Sequence, residues 1–336
     1  MAESVSRLAR LSMPALFVLA AGVAACTRDS SPPSTATRIN IAGAGATFPY
    51  PLYRVWFARY GDSAGVSINY FSVGSAEGLR LFGRGEVDFG AVDSRLRPKV
   101  DESRVGCGQV AVPMVQGAVA VAYNLPSLGN AVLVLNAPTL AGIYRGQLTK
   151  WNAVPIANLN RSLKMPDLPI TVVRRASGSG TGRAFSEYLR TSGQWLPAAG
   201  EGDVRWPVGI AAEGNQSAAA DVQVSIGAIG FMELTYARQN RLPIAALVDS
   251  VGDPVQPGTS TPTYPVRTQT WLLFDPARLT ELKGKALVGF ARWALRDGAA
   301  TAAGLEYDAL PKDTIAHYDS LLAGVDFKRC ARTPAQ

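Results

Sequence analysis

Histidine is almost absent from this chain, one in 336 residues, and there are only three cysteines. That scarcity excludes much chemistry. His317 falls in a stretch read as helical, residues 315–322, with no Cys, Asp or Glu at the spacing a metal site needs. No metal is expected. A Ser-His-Asp triad would have to recruit that one imidazole, and the Gly-x-Ser-x-Gly elbow that presents a nucleophile is missing. Asp88 and Asp93 are near in number, but an odd spacing on an extended segment sends them to opposite faces. Basic residues outnumber acidic ones, 33 to 26, which favours anionic partners through the overall field. They are scattered, however, and no basic stripe with interleaved aromatics marks a nucleic-acid surface. There is no internal repeat, and past the N-terminus no apolar run long enough to span a bilayer. What remains is an ordinary globular composition, 47% apolar, with length enough for two cores and no cofactor motif.

The N-terminus stands apart. Arg7 and Arg10 precede an apolar stretch, residues 11–23, which is the order of an export signal. Val23-Ala24-Ala25-Cys26 resembles a bacterial lipobox, in which the cysteine becomes the lipidated first residue; ordinary cleavage with Cys26 incidental is the alternative. Residues 1–25 are then the signal. Residues 26–37 carry the lipidated Cys26 and a Ser/Thr/Pro-rich tether, and the protein is periplasmic and membrane-anchored. Removing Cys26 leaves Cys107 and Cys330. An even pair in an oxidising compartment reads as a disulfide, or else as two buried thiols. Closing so long a loop is worth about 4–5 kcal/mol in the chain-entropy model.

In place of catalytic groups the chain has three short runs of Gly, Ser and Thr. They are Gly43-Ala44-Gly45-Ala46-Thr47-Phe48, Val73-Gly74-Ser75-Ala76-Glu77-Gly78 and Arg175-Ala176-Ser177-Gly178-Ser179-Gly180-Thr181. Each follows a strand-like segment (residues 38–42, 66–71 and 170–174) and opens a helical one (49–60, 79–82 and 183–189). Further strands are read at 87–93, 110–123, 226–231 and 267–274, and helices at 139–144, 233–238 and 284–296. Strands alternating with helices predict a parallel-rich α/β architecture with its ligand at the carboxyl ends of the strands. A helix N-terminus offers unpartnered N–H groups and partial positive charge, and small residues let an anion approach the backbone. For any one glycine, a tight strand-to-helix turn is an equal account. Gly43-x-Gly45-x-x-Phe48 lacks the third glycine of the dinucleotide fingerprint, and Gly178 to Arg183 lacks the Gly-Lys-Ser/Thr of a P-loop. Nucleotides drop out, and a tetrahedral anion remains. Trp206, Trp271 and Trp293 read as core aromatics.

With these residues in view, the chain resembles the phosphate-binding proteins of the Pst-type ABC importers, over nearly its whole length after the signal. The landmarks are the first turn with Pro49, Pro51, Leu52 and Tyr53; Asn69-Tyr70 with Gly74-Ser75; and Val87-Asp88-Phe89-Gly90-Ala91-x-Asp93. Later come Ile143-Tyr144-x-Gly146 with Trp151, Val172 through Thr181, and Gly227-Ala228-Ile229-Gly230-Phe231-x-Glu233-x-x-Tyr236-Ala237. The resemblance implies an α/β, two-lobed periplasmic-binding-protein fold of type II. Two α/β domains are joined by two crossover strands, with a ligand cleft between them. Domain I would hold residues 38–116 and 267–336, and domain II residues 117–266.

The same resemblance puts phosphate-binding groups on Thr47, Phe48, Ser75, Asp93, Arg175, Ser179, Gly180 and Thr181. It implies a monomeric receptor, not an enzyme, that takes inorganic phosphate to the transmembrane subunits of an ABC permease and uses no cofactor. Arg175 would supply a full charge in fork geometry. Asp93 would accept a hydrogen bond from the O–H that phosphate keeps and sulfate lacks, which excludes the unprotonated anion. Arsenate, which also keeps a proton, stays open as a ligand, as do a phosphoesterase of related fold and a lipid-anchored protein with a vestigial site. Two departures from the family bear on the site. Ser177 stands where an Asp often pairs with the binding Arg, which leaves Arg175 with more uncompensated charge. Ala76-Glu77-Gly78 replaces a Gly-rich run and brings a carboxylate near the site. Residues 249–267 are also shorter and richer in Pro and Gly than in some relatives.

Overall fold

The computed structural model describes residues 38–93, 108–195, 199–200, 203–258 and 263–330. Cys26, Cys107 and the signal and tether lie outside them. The chain begins with two βα steps and a third strand: β1 (Ile39–Gly45), α1 (Tyr50–Ala64), β2 (Val66–Ser72), α2 (Ser75–Gly83) and β3 (Phe89–Asp93). The long β4 (Val110–Tyr123) follows, then β5 (Val134–Leu135), α3 (Ala137–Tyr144), α4 (Val154–Leu159), β6 (Thr171–Arg175) and α5 (Gly180–Arg190). Next come β7 (Ala199–Gly200), β8 (Asp203–Val204), β9 (Ile210–Ala212), α6 (Asn215–Val224), β10 (Ala228–Glu233) and α7 (Leu234–Gln239). The chain closes with β11 (Ala246–Val248), β12 (Pro254–Val255), β13 (Arg267–Phe274), α8 (Glu281–Arg296), α9 (Ala299–Gly304), α10 (Lys312–Ala323) and α11 (Phe327–Cys330).

Eight strands form one sheet in the order β2-β1-β3-β13-β4-β10-β6-β9. Its two flanks are parallel: β1 with β2 and β3, and β6 with β10 and β9. The centre is not. β13 runs antiparallel to β3 and β4, and β4 antiparallel to β10. The expected parallel-rich sheet therefore holds for each half and fails at the middle, because β4 leaves the first half and β13 returns to it. β4 changes partner within its own length: Ala118 pairs with Arg267 of β13, and Val119 with Glu233 of β10. One extended strand thus belongs to both halves. Its near-continuous apolar run is buried on both faces, as a central strand requires. Pro113 is tolerated there because the β13 register shifts between Thr270 and Trp271, opposite it.

Each half has its own aromatic core. Phe57, Tyr53, Tyr70, Phe89 and Phe290 pack under the first, and Tyr144, Phe185, Trp206 and Phe231 under the second. Trp206, Trp271 and Trp293 lie half-buried against this core, while Trp56, Trp151 and Trp195 are the fully buried tryptophans. Cys330 is buried and disulfide-bonded; Cys107, its expected partner, is outside the described residues. His317 is exposed on α10. Among the described residues no group of His, Cys, Asp and Glu could hold a metal ion, and no helix is long and apolar enough to cross a membrane.

Candidate functional site

Strand ends from both halves converge on one place. β1 ends at Gly45 with φ 149°, where a Cβ would stand 1.9 Å from the Ala91 carbonyl oxygen. Only glycine lets β1 turn this closely against β3 and deliver Thr47 and Phe48 to the start of α1. Ser75 is the first residue of α2, and Asp93 the last of β3. From the other half, Arg175 ends β6 and Ser179 caps α5, its Oγ accepting from the Gly182 N–H at 3.0 Å. The halves touch here. The Ala76 N–H donates to the Gly178 carbonyl at 3.2 Å, and Arg175 Nη2 donates to Thr47 Oγ1 at 3.3 Å. Gly180 lies so close to Asp93 that a Cβ would be 2.4 Å from the Asp93 Cβ.

The eight residues expected from sequence are therefore neighbours, spread over the N-termini of α1, α2 and α5 and the ends of β3 and β6. Thr47, Phe48, Ser75, Asp93, Arg175 and Thr181 are each 6% exposed or less. Gly180 is buried, and Ser179 half-buried. The Phe48 carbonyl accepts from the Tyr307 hydroxyl at 2.7 Å, which holds the first turn of α1 in place. Asp88 does not join them. It precedes β3 and accepts from the Ala42 N–H at 2.8 Å and from Lys283 Nζ at 2.9 Å. Glu77, expected to bring negative charge, is taken by Arg80 one turn on.

Two opposite charges define the electrostatics. Burial pulls the Arg175 guanidinium down to about 10, with Asp93, Tyr236 and Glu213 holding it up. It stays cationic at neutral pH. Its partners are neutral: Nη1 donates to Asn215 Oδ1 at 2.9 Å and Nε to the Ala212 carbonyl at 3.4 Å. Ser177 is exposed and is not among them. Burial pushes the Asp93 carboxyl up to about 7, against the opposing pull of Thr270, Arg175 and Thr181. Thr270 donates its hydroxyl to Asp93 Oδ1 at 3.1 Å, and the Asp93 N–H donates to Ser75 Oγ at 3.3 Å. A guanidinium, three helix N-termini and several hydroxyls face one carboxyl poised near neutrality. That set suits an oxyanion that itself carries a proton.

Sequence reasoning missed four residues at this place. Asn215, fully buried, opens α6 and touches both Arg175 and Thr47. Its signal was available, since Gly214-Asn215 is a fourth Gly-polar pair before a helix. Tyr236 donates its hydroxyl to the Thr47 carbonyl at 2.9 Å. Glu233 is wholly buried, raised to about 8 by desolvation, and caps α7 by accepting from the Thr235 N–H at 2.8 Å. Thr270 had no signal, because only the β13 register places it opposite Asp93.

Comparison with known proteins agrees with this architecture. Residues 30–297 match the family described as the PBP superfamily domain. The chain is 32% identical to the phosphate-binding protein PstS of Xylella fastidiosa, over 91% of this chain and 92% of that one. It is 32% identical to the PstS of Pasteurella multocida, over 82% and 87% respectively. The solved structure of the high-affinity periplasmic phosphate-binding protein PfluDING, bound with phosphate, superposes with a TM-score of 0.65. That match is 18% identical, over 84% of this chain and 93% of that one. The chain belongs to the PBP superfamily and, within it, to the family of the PstS phosphate-binding proteins. Its fold is the two-lobed α/β fold of that class.

Proposed function

We propose that the protein is a receptor that holds inorganic phosphate between its two halves and delivers it to an ABC-type importer. One observation carries the reading: a buried guanidinium from the second half and a buried carboxyl from the first meet among the N-termini of α1, α2 and α5. The phosphate-binding names of its relatives point the same way. Thr47, Phe48, Ser75, Asp93, Arg175, Ser179, Gly180 and Thr181 form the binding set. Arg175 supplies charge, the hydroxyls and helix N–H groups supply neutral donors, and Asp93 accepts a hydrogen bond from the O–H of a protonated phosphate. The chemistry is binding and release, not catalysis. The partner change within β4 supports a domain I of residues 38–116 with 267–336 and a domain II of 117–266. The protein works as a monomer in the periplasm, tethered through lipidated Cys26, with Cys107 bonded to Cys330.

Titration calorimetry of the mature protein with phosphate, repeated in excess sulfate, is the test. Tight binding that sulfate leaves unchanged is expected. No heat with phosphate, or hydrolysis of a phosphomonoester that is lost on changing a cleft residue, overturns the reading.

A further inference from the structure

Asn215 is fully buried, and both ends of its amide are hydrogen-bonded. Oδ1 accepts from Arg175 Nη1 at 2.9 Å and from the Glu233 backbone N–H at 3.1 Å. Both are groups that can only donate, so the oxygen of the amide must face them. Nδ2 is thereby turned onto Thr47 Oγ1 at 2.9 Å. The Asn215 backbone N–H, at 3.3 Å, and Arg175 Nη2, at 3.3 Å, reach the same oxygen. A hydroxyl oxygen has two lone pairs, and here three obligate donors crowd it. Thr47 can therefore only accept from these partners. Among the described residues no acceptor takes its own proton.

We infer that Asn215 is a positioning residue that sets the polarity of the site: it holds Arg175 in place and forces the Thr47 hydroxyl to act as a donor to the bound anion. The inference rests on the phosphate-receptor reading. It also accounts for Ser177. The acceptor that holds Arg175 comes from Asn215, across a neutral amide, and so adds no negative charge beside the anion. A carboxylate at position 215 would keep the shape and reverse the polarity. Its second oxygen needs a donor where Nδ2 gave one, and the Thr47 hydroxyl proton is the nearest that can turn to it. The anion then loses one donor and gains a repelling charge.

Phosphate titration and thermal melting without phosphate are measured for wild type, Asn215→Asp, Asn215→Ala and Thr47→Val. Asn215→Asp, nearly isosteric, is expected to melt closer to wild type than Asn215→Ala, yet to bind phosphate more weakly than Asn215→Ala does. Its loss is about 10- to 100-fold, the value of one hydrogen bond to a charged group. A merely structural residue would give binding in the same order as stability, and that order overturns the inference. Thr47→Val removes the same donor, so adding Asn215→Asp to it should cost less than the two single losses combined; full additivity also overturns it. If Asn215→Asp does not fold, the Thr47→Val and Asn215→Ala pair reads the same coupling by the same criterion. A wild-type protein that binds no phosphate sinks the receptor reading, and this inference with it. Wild-type binding with Asn215→Asp unimpaired sinks this inference alone.

Discussion

Gly180→Ala probes how the two halves meet. Gly180 is the first residue of α5 in the second half, and Asp93 the last of β3 in the first. A methyl group on Gly180 would stand 2.4 Å from the Asp93 Cβ, 2.5 Å from Oδ2 and 2.8 Å from Cγ. Carbon atoms settle at about 3.5 Å or more, so α5 and β3 must part by about 1 Å. Asp93 cannot step aside, because its Cβ is fixed to a strand paired with β13 at Thr270. Separating the halves is the cheaper relief, and it leaves the core of each half intact. The cost therefore falls on closing around the anion more than on folding. Overpacking of this size costs about 1–3 kcal/mol, which converts to about 5- to 150-fold in phosphate affinity. Calorimetry should show that loss, while the melting temperature without phosphate stays near wild type. Gly182→Ala is the control: its methyl group would meet Ser179 at 3.3 Å and Arg175 at 3.4 Å, both within the second half. Binding within about twofold of wild type in Gly180→Ala, below the lower overpacking cost, refutes the closure argument. A melting temperature that drops without phosphate as far as affinity does refutes it too, since the strain would then lie within the fold.

Three further outcomes are expected. Arg175→Ala removes the cation of the site and lowers phosphate affinity about 100-fold or more, as truncation of a buried charged partner does; unchanged binding rules out the assignment. Asp93→Asn offers an amide N–H where a carboxylate could only accept, so sulfate becomes a competitor in the phosphate titration; continued exclusion of sulfate means that Asp93 is not the discriminating group. Asp93 is raised from 3.8 to about 7 and Glu233 from 4.5 to about 8, so the folded chain binds more protons than the unfolded chain across those windows. Stability without phosphate therefore falls as pH rises from about 4 to about 8, and Glu233→Gln flattens part of that slope. A melting temperature that is level or climbs over this range contradicts both shifts.

Much of the fold was legible because its signals are local. The apolar run that became β4 and the strand-like segment that became β13 were both read at the bounds the structure shows. Helices were found but begun late: α5 starts at Gly180 and α8 at Glu281, before the apolar spacing sets in. Capping explains the difference, since Ser179 and Thr280 each accept from an N–H of the first turn. The three-stranded sheet of β5, β11 and β12 was not read, its strands being two or three residues long and specified only by their partners. Within the site, the residues of the three Gly-rich turns were named from sequence, whereas Asn215, beside Gly214, and Thr270, which depends on register, were not. Thr270 meets Asp93 only because β13 returns antiparallel to β3. Glu233 reads as a landmark of the family without a role at the site, and only burial gives it a proton near neutral pH.

Of the two sequence expectations about charge, the one for Glu77 needs correction, and the one for Arg175 bears on mechanism. Ser177 in place of an acid, and Glu77 near a turn, predicted an Arg175 short of compensation and a carboxylate intruding on the anion. Glu77 is neutralised by Arg80 on the exposed side of α2. Arg175 is held by oxygen acceptors that carry no charge, from Asn215 and Ala212. The balance at the site then rests chiefly on Arg175 and Asp93, one from each half, with Tyr236 and Glu213 adding to the field on Arg175. Desolvation opposes charge on both, so an anion that enters between them relieves Arg175 while competing with ionised Asp93. On the receptor reading, a ligand with its own proton to give resolves that competition by donating to Asp93. A fully ionised one either waits for Asp93 to take a proton from solvent or leaves two negative groups facing each other in a buried space. On that reading selectivity is a matter of proton count more than of size, and it is set by which carboxyls the fold keeps away from Arg175 as much as by the one it brings near.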